Sequence, residues 1–252
     1  DIDLKGMVFI NQGNYTMGSG VQNVTYGKTP QPRNMQISSF FMDETEITNN
    51  EYRQFVSAVA DSIARKILGE AGREEYLISD DKFGQPLDNP MLNYKKSIDY
   101  NDADVHMELV NAGYYLTDIY HREVIDASKL NYEYFYIDYT DVSKKENNIQ
   151  TSSEHRGTSF AVRPKGLGDS RNNQIKREYI NVYPDTLCWV HDYAYSMNED
   201  YTRSYFSSAA YDNYPVVGVS WRQARAFCVW RSNMLNNFLA DINYSRVNDF
   251  RL

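Results

Sequence analysis

Apolar and polar residues alternate from the start of the chain. Met7-Val8-Phe9-Ile10, a turn at Asn11-Gln12-Gly13 and Tyr15-Thr16-Met17-Gly18 predict a β-hairpin. After a loop holding Thr29-Pro30-Gln31-Pro32, Met35, Ile37 and Phe41 alternate with polar or small residues up to Asp43, the pattern of a strand with one covered face. The period then changes. Thr48 and Glu51 form a capping box, in which the hydroxyl accepts from the N–H of Glu51 and the carboxylate accepts from the N–H of Thr48. Beyond it Tyr52, Phe55, Val56, Val59, Ala60, Ile63 and Ile67 fall at three-and-four spacing, predicting a helix to about Leu68 with Gly69 as its stop.

Residues 70–128 carry no sustained period. Gly72, Gly84, Pro86 and Pro90 punctuate charged stretches, so mostly loop with short helical pieces is expected. From Tyr132 to Tyr139 a strand is predicted with Tyr132, Tyr134 and Tyr136 on one face and Phe135, Ile137 and Tyr139 on the other. Rings on both faces call for cover on both. Either the rest of the chain supplies it, or Tyr132, Tyr134 and Tyr136 form a protein contact, tyrosine being enriched at interfaces. A second alternating strand runs from Glu178 to Tyr183. Near the end, Pro215-Val216-Val217-Gly218-Val219 leads into a second capping box, Ser220 with Gln223. Ala224, Phe227, Cys228, Arg231, Leu235, Phe238 and Leu239 then give a helix its apolar stripe, with the Arg231 stem packed along it.

Composition narrows the function classes. The 252 residues carry 26 Lys plus Arg against 34 Asp plus Glu, a net charge of −8. That balance argues against a protein that coats nucleic acid. Lys144, Lys145, Arg156, Arg163, Lys165, Arg171, Lys176 and Arg177 nonetheless form a basic island, either a solvated loop or a docking surface for an acidic neighbour or anionic lipid head groups. No apolar run is long enough to cross a bilayer. The chain starts at Asp1 without an initiator Met, which suggests a processed or partial chain.

Candidate chemistry is sparse. Cys188 and Cys228 could be one disulfide, a metal or redox pair, or two core thiols, and the apolar neighbours Leu187, Trp189 and Phe227 favour the last. His106, His121, His155 and His191 lack the short spacing that puts two imidazoles on one helix face. Asp43-Glu44 and Asp80-Asp81 read as turn or cap residues rather than calcium ligands, and Gln85-Pro86-Leu87-Asp88 is only a loose match to a sugar-binding loop. Gly166-Leu167-Gly168 is too short to cradle phosphate. No catalytic residue, cofactor or metal is expected.

Three ordered segments resemble the formylglycine-generating enzyme (sulfatase-modifying factor) family. They are Gly6–Gly18, Phe40–Tyr52, and Tyr214–Trp221 continuing through Ala224, Phe227, Cys228 and Trp230. The resemblance implies an α+β fold, a variant of the C-type lectin domain, formed as one domain over 1–252 with an insertion at about 70–213. The family's next motif opens Arg-Leu-Pro-Thr-Glu and this chain ends at Arg251-Leu252, so the C-terminal part, with the enzymes' copper-binding cysteine pair and calcium sites, is expected to be missing.

Within the family, Asp43–Val56, Val182–Val190 and the span from Tyr195 to Pro215 resemble the GldK/PorK-type lipoproteins of gliding motility and type IX secretion, with GldJ-type proteins next. That likeness implies a non-catalytic lipoprotein on the periplasmic face of the bacterial outer membrane. It would assemble in a ring with copies of itself and a GldN/PorN partner. An active copper-dependent oxidase and a sugar-binding module are the rival readings.

Overall fold

The computed structural model describes residues 6–18, 32–80, 83–118, 120–142, 175–191 and 199–252. The polypeptide falls into two compact units, Asp1–Thr48 and Asn49–Leu252.

In the first unit, β1 (Met7–Ile10) and β2 (Gly13–Met17) do not pair with each other as the alternation suggested. β1 pairs antiparallel with β4 (Phe40–Asp43) and β2 with β3 (Arg33–Ile37). The register is continuous across both pairings, since Ile10 faces Phe40 and Gly13 faces Ile37, three residues on along each strand. Residues 7–17 and 33–43 thus form one long two-stranded ribbon with a short break, a geometry the turn at 11–13 did not reveal because only distant partners set it. Nor is one face covered: Met35, Ile37 and Phe41 are all exposed. Phe9 and Phe41 pack on each other with ring centroids 5.2 Å apart, the cross-strand contact expected of facing aromatics.

The second unit is built on two long helices, α1 (Asn49–Glu70) and, near the C-terminus, α3 (Trp221–Asp241). Between them lie the hairpin β5 (Leu77–Asp80) and β6 (Pro86–Leu92), helix α2 (Ala103–Asn111), and the hairpin β7 (Tyr115–Thr117) and β8 (Glu123–Ile125). The antiparallel pair β9 (Asn131–Ile137) and β10 (Ile175–Asn181) follows. The stretch expected to be mostly loop therefore holds two hairpins, whose strands are too exposed to print an alternation.

Helix α1 runs past Gly69 and stops at Gly72. There φ is +99°, with Gly72 N–H donating to Gly69 O (3.1 Å) and Arg73 N–H to Leu68 O (3.0 Å). This Schellman closure requires the left-handed region at Gly72, which glycine enters without steric cost. Gly69 answers to packing: a Cβ there would lie 2.6 Å from Leu77 Cγ. The same closure ends α2 at Gly113 and α3 at Asn243.

Aromatic rings knit the second unit together. Tyr52 and Phe55 of α1 meet Phe227 of α3 at centroid distances of 5.6 and 5.9 Å, and Phe55 also meets Tyr132 of β9 and Trp230 of α3, both at 5.3 Å. The Tyr52 hydroxyl donates to Val182 O (3.0 Å) and that of Tyr114 to Ala60 O (3.1 Å), so these buried rings leave no polar tip unbonded.

Candidate functional site

The second unit carries a groove of about 640 Å³ between β9, α3 and the segment 246–252. Its floor and walls derive from two local features of the sequence. The capping box forms at the start of α3: Ser220 N–H donates to Gln223 Oε1 (2.8 Å) and Gln223 N–H to Ser220 Oγ (3.3 Å). Gln223 Nε2 also donates to the carbonyls of Asn181 (3.1 Å) and Tyr183 (2.9 Å), tying α3 to the end of β10. Gly218 lets the chain turn in front of that cap. Its φ is +79°, and a Cβ there would sit 2.2 Å from the carbonyl oxygen of Asp185, whose N–H donates to Gly218 O (2.8 Å).

A polar cluster beside the groove joins both strands to the helix. Tyr134 is buried, and its hydroxyl donates to Glu178 of β10 and accepts from Arg225 Nε of α3 (3.2 Å). Arg225 Nη2 lies 3.0 and 2.9 Å from the two Glu178 oxygens, while its guanidinium is sandwiched between the rings of Tyr136 (3.6 Å) and Trp221 (4.4 Å). Burial, reinforced by the hydrogen bond to Glu178, pushes the Tyr134 hydroxyl up to about 12. Burial works against ionisation of Glu178, but the hydrogen bonds from Tyr134 and Arg225 prevail and hold its carboxyl below the usual range. Desolvation likewise disfavours the Arg225 cation, and the bonds to Tyr134 and Glu178 outweigh it, raising the guanidinium. A neutral phenol, a carboxylate and a guanidinium are locked together. This triad holds three elements in place and presents no free base.

A profile of the sulfatase-modifying factor enzyme 1-like domain matches residues 2–112 and 101–252, together nearly the entire chain. The chain belongs to this sulfatase-modifying-factor-like family. No curated protein and no solved structure is matched.

In this family member the residues singled out in the sequence are distributed as follows. Thr48 directly precedes α1 and Glu51 lies in its first turn. Tyr132, Tyr134 and Tyr136 face α3 rather than solvent, and the exposed side chains of their strand are Phe135 and Ile137. Cys188 and Cys228 are half-buried thiols that share no disulfide, and Cys228 lines the groove. His106 lies 3.0 Å from Glu123, against the Tyr115 ring, and His121 adopts φ +58° in a turn; His155 lies outside the described residues. Of the basic island only Lys176 and Arg177 are described, and Arg177 pairs with Glu133. Among the described residues no cluster of three His, Cys, Asp or Glu could hold a metal, and no helix is long and apolar enough to cross a membrane.

Sequence reasoning missed two buried polar groups. Asn49 is fully buried and donates through Nδ2 to the carbonyls of Tyr211 (2.9 Å) and Tyr205 (3.4 Å), while its own N–H donates to Tyr214 O (2.8 Å). Arg65 is bonded to Asp61 Oδ2 (2.7 Å) and to the carbonyls of Asn93 and Lys96, under the Tyr94 ring. A polar residue within an otherwise apolar helical stripe was the available signal in both cases.

Proposed function

We propose that this chain is a non-catalytic structural part of the type IX secretion and gliding-motility machinery. In this reading it is a lipid-anchored lectin-type body at the periplasmic face of the outer membrane. Copies of it form a ring with a GldN/PorN-type partner. The family match supports the body, and the likeness of Asp43–Val56 and Val182–Val190 to GldK/PorK-type lipoproteins supports the machinery. The observation that carries the non-catalytic half is the Tyr134–Glu178–Arg225 triad. Glu178 and Arg225, beside the groove, are bonded to each other and to Tyr134 and brace β9, β10 and α3. Catalytic groups are ordinarily held available to a substrate instead. Head-to-tail contacts between like protomers close into a ring when the rotation permits.

The test is deletion in the source bacterium. Loss of type IX cargo secretion, restored by the wild-type gene, is the expected result. Normal secretion in the deletion strain, or oxygen uptake by the purified protein with conversion of a peptide cysteine to an aldehyde, would overturn the reading.

A further inference from the structure

The start of α1 meets residues 205–214 through polar groups. Asn49 N–H donates to Tyr214 O (2.8 Å) and Asn50 N–H to Asp212 O (3.1 Å). The Asn49 side chain, fully buried, donates through Nδ2 to Tyr211 O (2.9 Å) and Tyr205 O (3.4 Å). One turn further along α1, Arg53 Nη2 donates to the Asp212 carboxylate. Two atoms of this junction are buried with no partner among the described residues: Asn49 Oδ1, an acceptor, and Arg53 Nε–H, a donor. Rotating the Asn49 amide by half a turn does not pair the first, because Oδ1 would then face the carbonyl oxygens of Tyr211 and Tyr205. Buried polar groups of folded proteins are, with few exceptions, bonded either to protein or to ordered water.

We propose that Asn49 and Arg53 bind one ordered water between them, which accepts from Arg53 Nε–H and donates to Asn49 Oδ1. Residues four apart share a helix face, with Cβ atoms about 5–6 Å from each other. Both side chains also reach toward the same short stretch, Asn49 to the Tyr211 carbonyl and Arg53 to the Asp212 carboxylate. Water bonded at about 2.8–3.0 Å on either side spans such a gap. The chemistry of the two atoms selects the ligand. A cation would stand against the Arg53 guanidinium, an anion against the Asn49 carbonyl oxygen, and an apolar group would leave both unbonded. What serves both is a small neutral group that donates and accepts at once, and the burial of both atoms holds it to the size of water. The water completes the seam between α1 and residues 205–214, joining a buried amide to the half-buried Arg53–Asp212 ion pair. This inference does not depend on the ring assignment.

Two measurements on the wild-type chain test this. A high-resolution crystal structure should show a water oxygen within about 3.2 Å of both Arg53 Nε and Asn49 Oδ1. In solution, nitrogen-edited NMR of the arginine side chains should show a rotating-frame cross-peak between Arg53 Hε and water, with the sign of dipolar contact rather than of chemical exchange. A direct hydrogen bond from Arg53 Nε to Asn49 Oδ1 would overturn the proposal, since the two groups would then satisfy each other. So would a well-ordered junction with no water within reach of both atoms, or the absence of the dipolar cross-peak.

Discussion

At the scale of single residues, the groove depends on one glycine and one triad. Gly218→Ala must place a Cβ into the Asp185 carbonyl at a φ of +79°, so a loss of about 2–4 kcal/mol is expected in a urea denaturation series. Glu178→Gln leaves the Arg225 cation without its counter-charge, and a smaller loss of about 1–3 kcal/mol is expected, since both side chains keep some contact with water. The signs of the pH effects follow from the directions of the shifts. Glu178 titrates lower when folded, so its contribution is present above its ordinary value of 4.5 and is lost as pH falls through the folded value. Tyr134 titrates higher when folded, so its contribution is complete below 10 and is lost as pH rises toward about 12. Tyr134→Phe should flatten the fall in stability between pH 10 and 12, read as the denaturation midpoint against pH.

At the scale of elements, legibility tracked the reach of the interactions involved. The α3 start was readable because Ser220 and Gln223 settle it within one turn. The β9 strand was readable from its alternation, although the facing of its rings was not: whether Tyr134 meets solvent depends on α3, some 90 residues away, through Arg225. The first ribbon was misread because Ile10 finds its partner at Phe40, and nothing local marks that choice. Gly69 shows the same limit. Read locally it is a helix stop, yet the helix continues because Leu77 packs where a side chain would be. Helix propensity alone favours Gly69→Ala by about 1 kcal/mol. Packing against Leu77 reverses the sign, and a net loss of about 1–3 kcal/mol is expected in the same denaturation assay. The candidate site was the least legible part, because the triad draws Tyr134, Glu178 and Arg225 from three elements with no sequence spacing in common.

At the scale of the whole molecule, tyrosine dominates both core and chemistry. Burial raises Tyr52, Tyr100, Tyr114, Tyr132, Tyr134 and Tyr183 together. Each binds its proton more tightly when folded than when unfolded, so all act in one direction: stability should fall steeply above pH 10. Absorbance at about 295 nm, followed with circular dichroism, should show the ionisation of these six tyrosines coinciding with unfolding rather than preceding it. The same wealth of rings suits a body that works through contacts, because large amphipathic side chains brace helices against strands and leave Phe135, Trp221 and Tyr179 at the surface. The central claim is that this sulfatase-modifying-factor-like chain is a component of an assembly. The most direct measurement is the light-scattering mass of the chain mixed with a GldN/PorN-type protein, the proposed partner. The account predicts a co-eluting species many times heavier than a one-to-one complex, and two separate peaks at the masses of the individual proteins would contradict it.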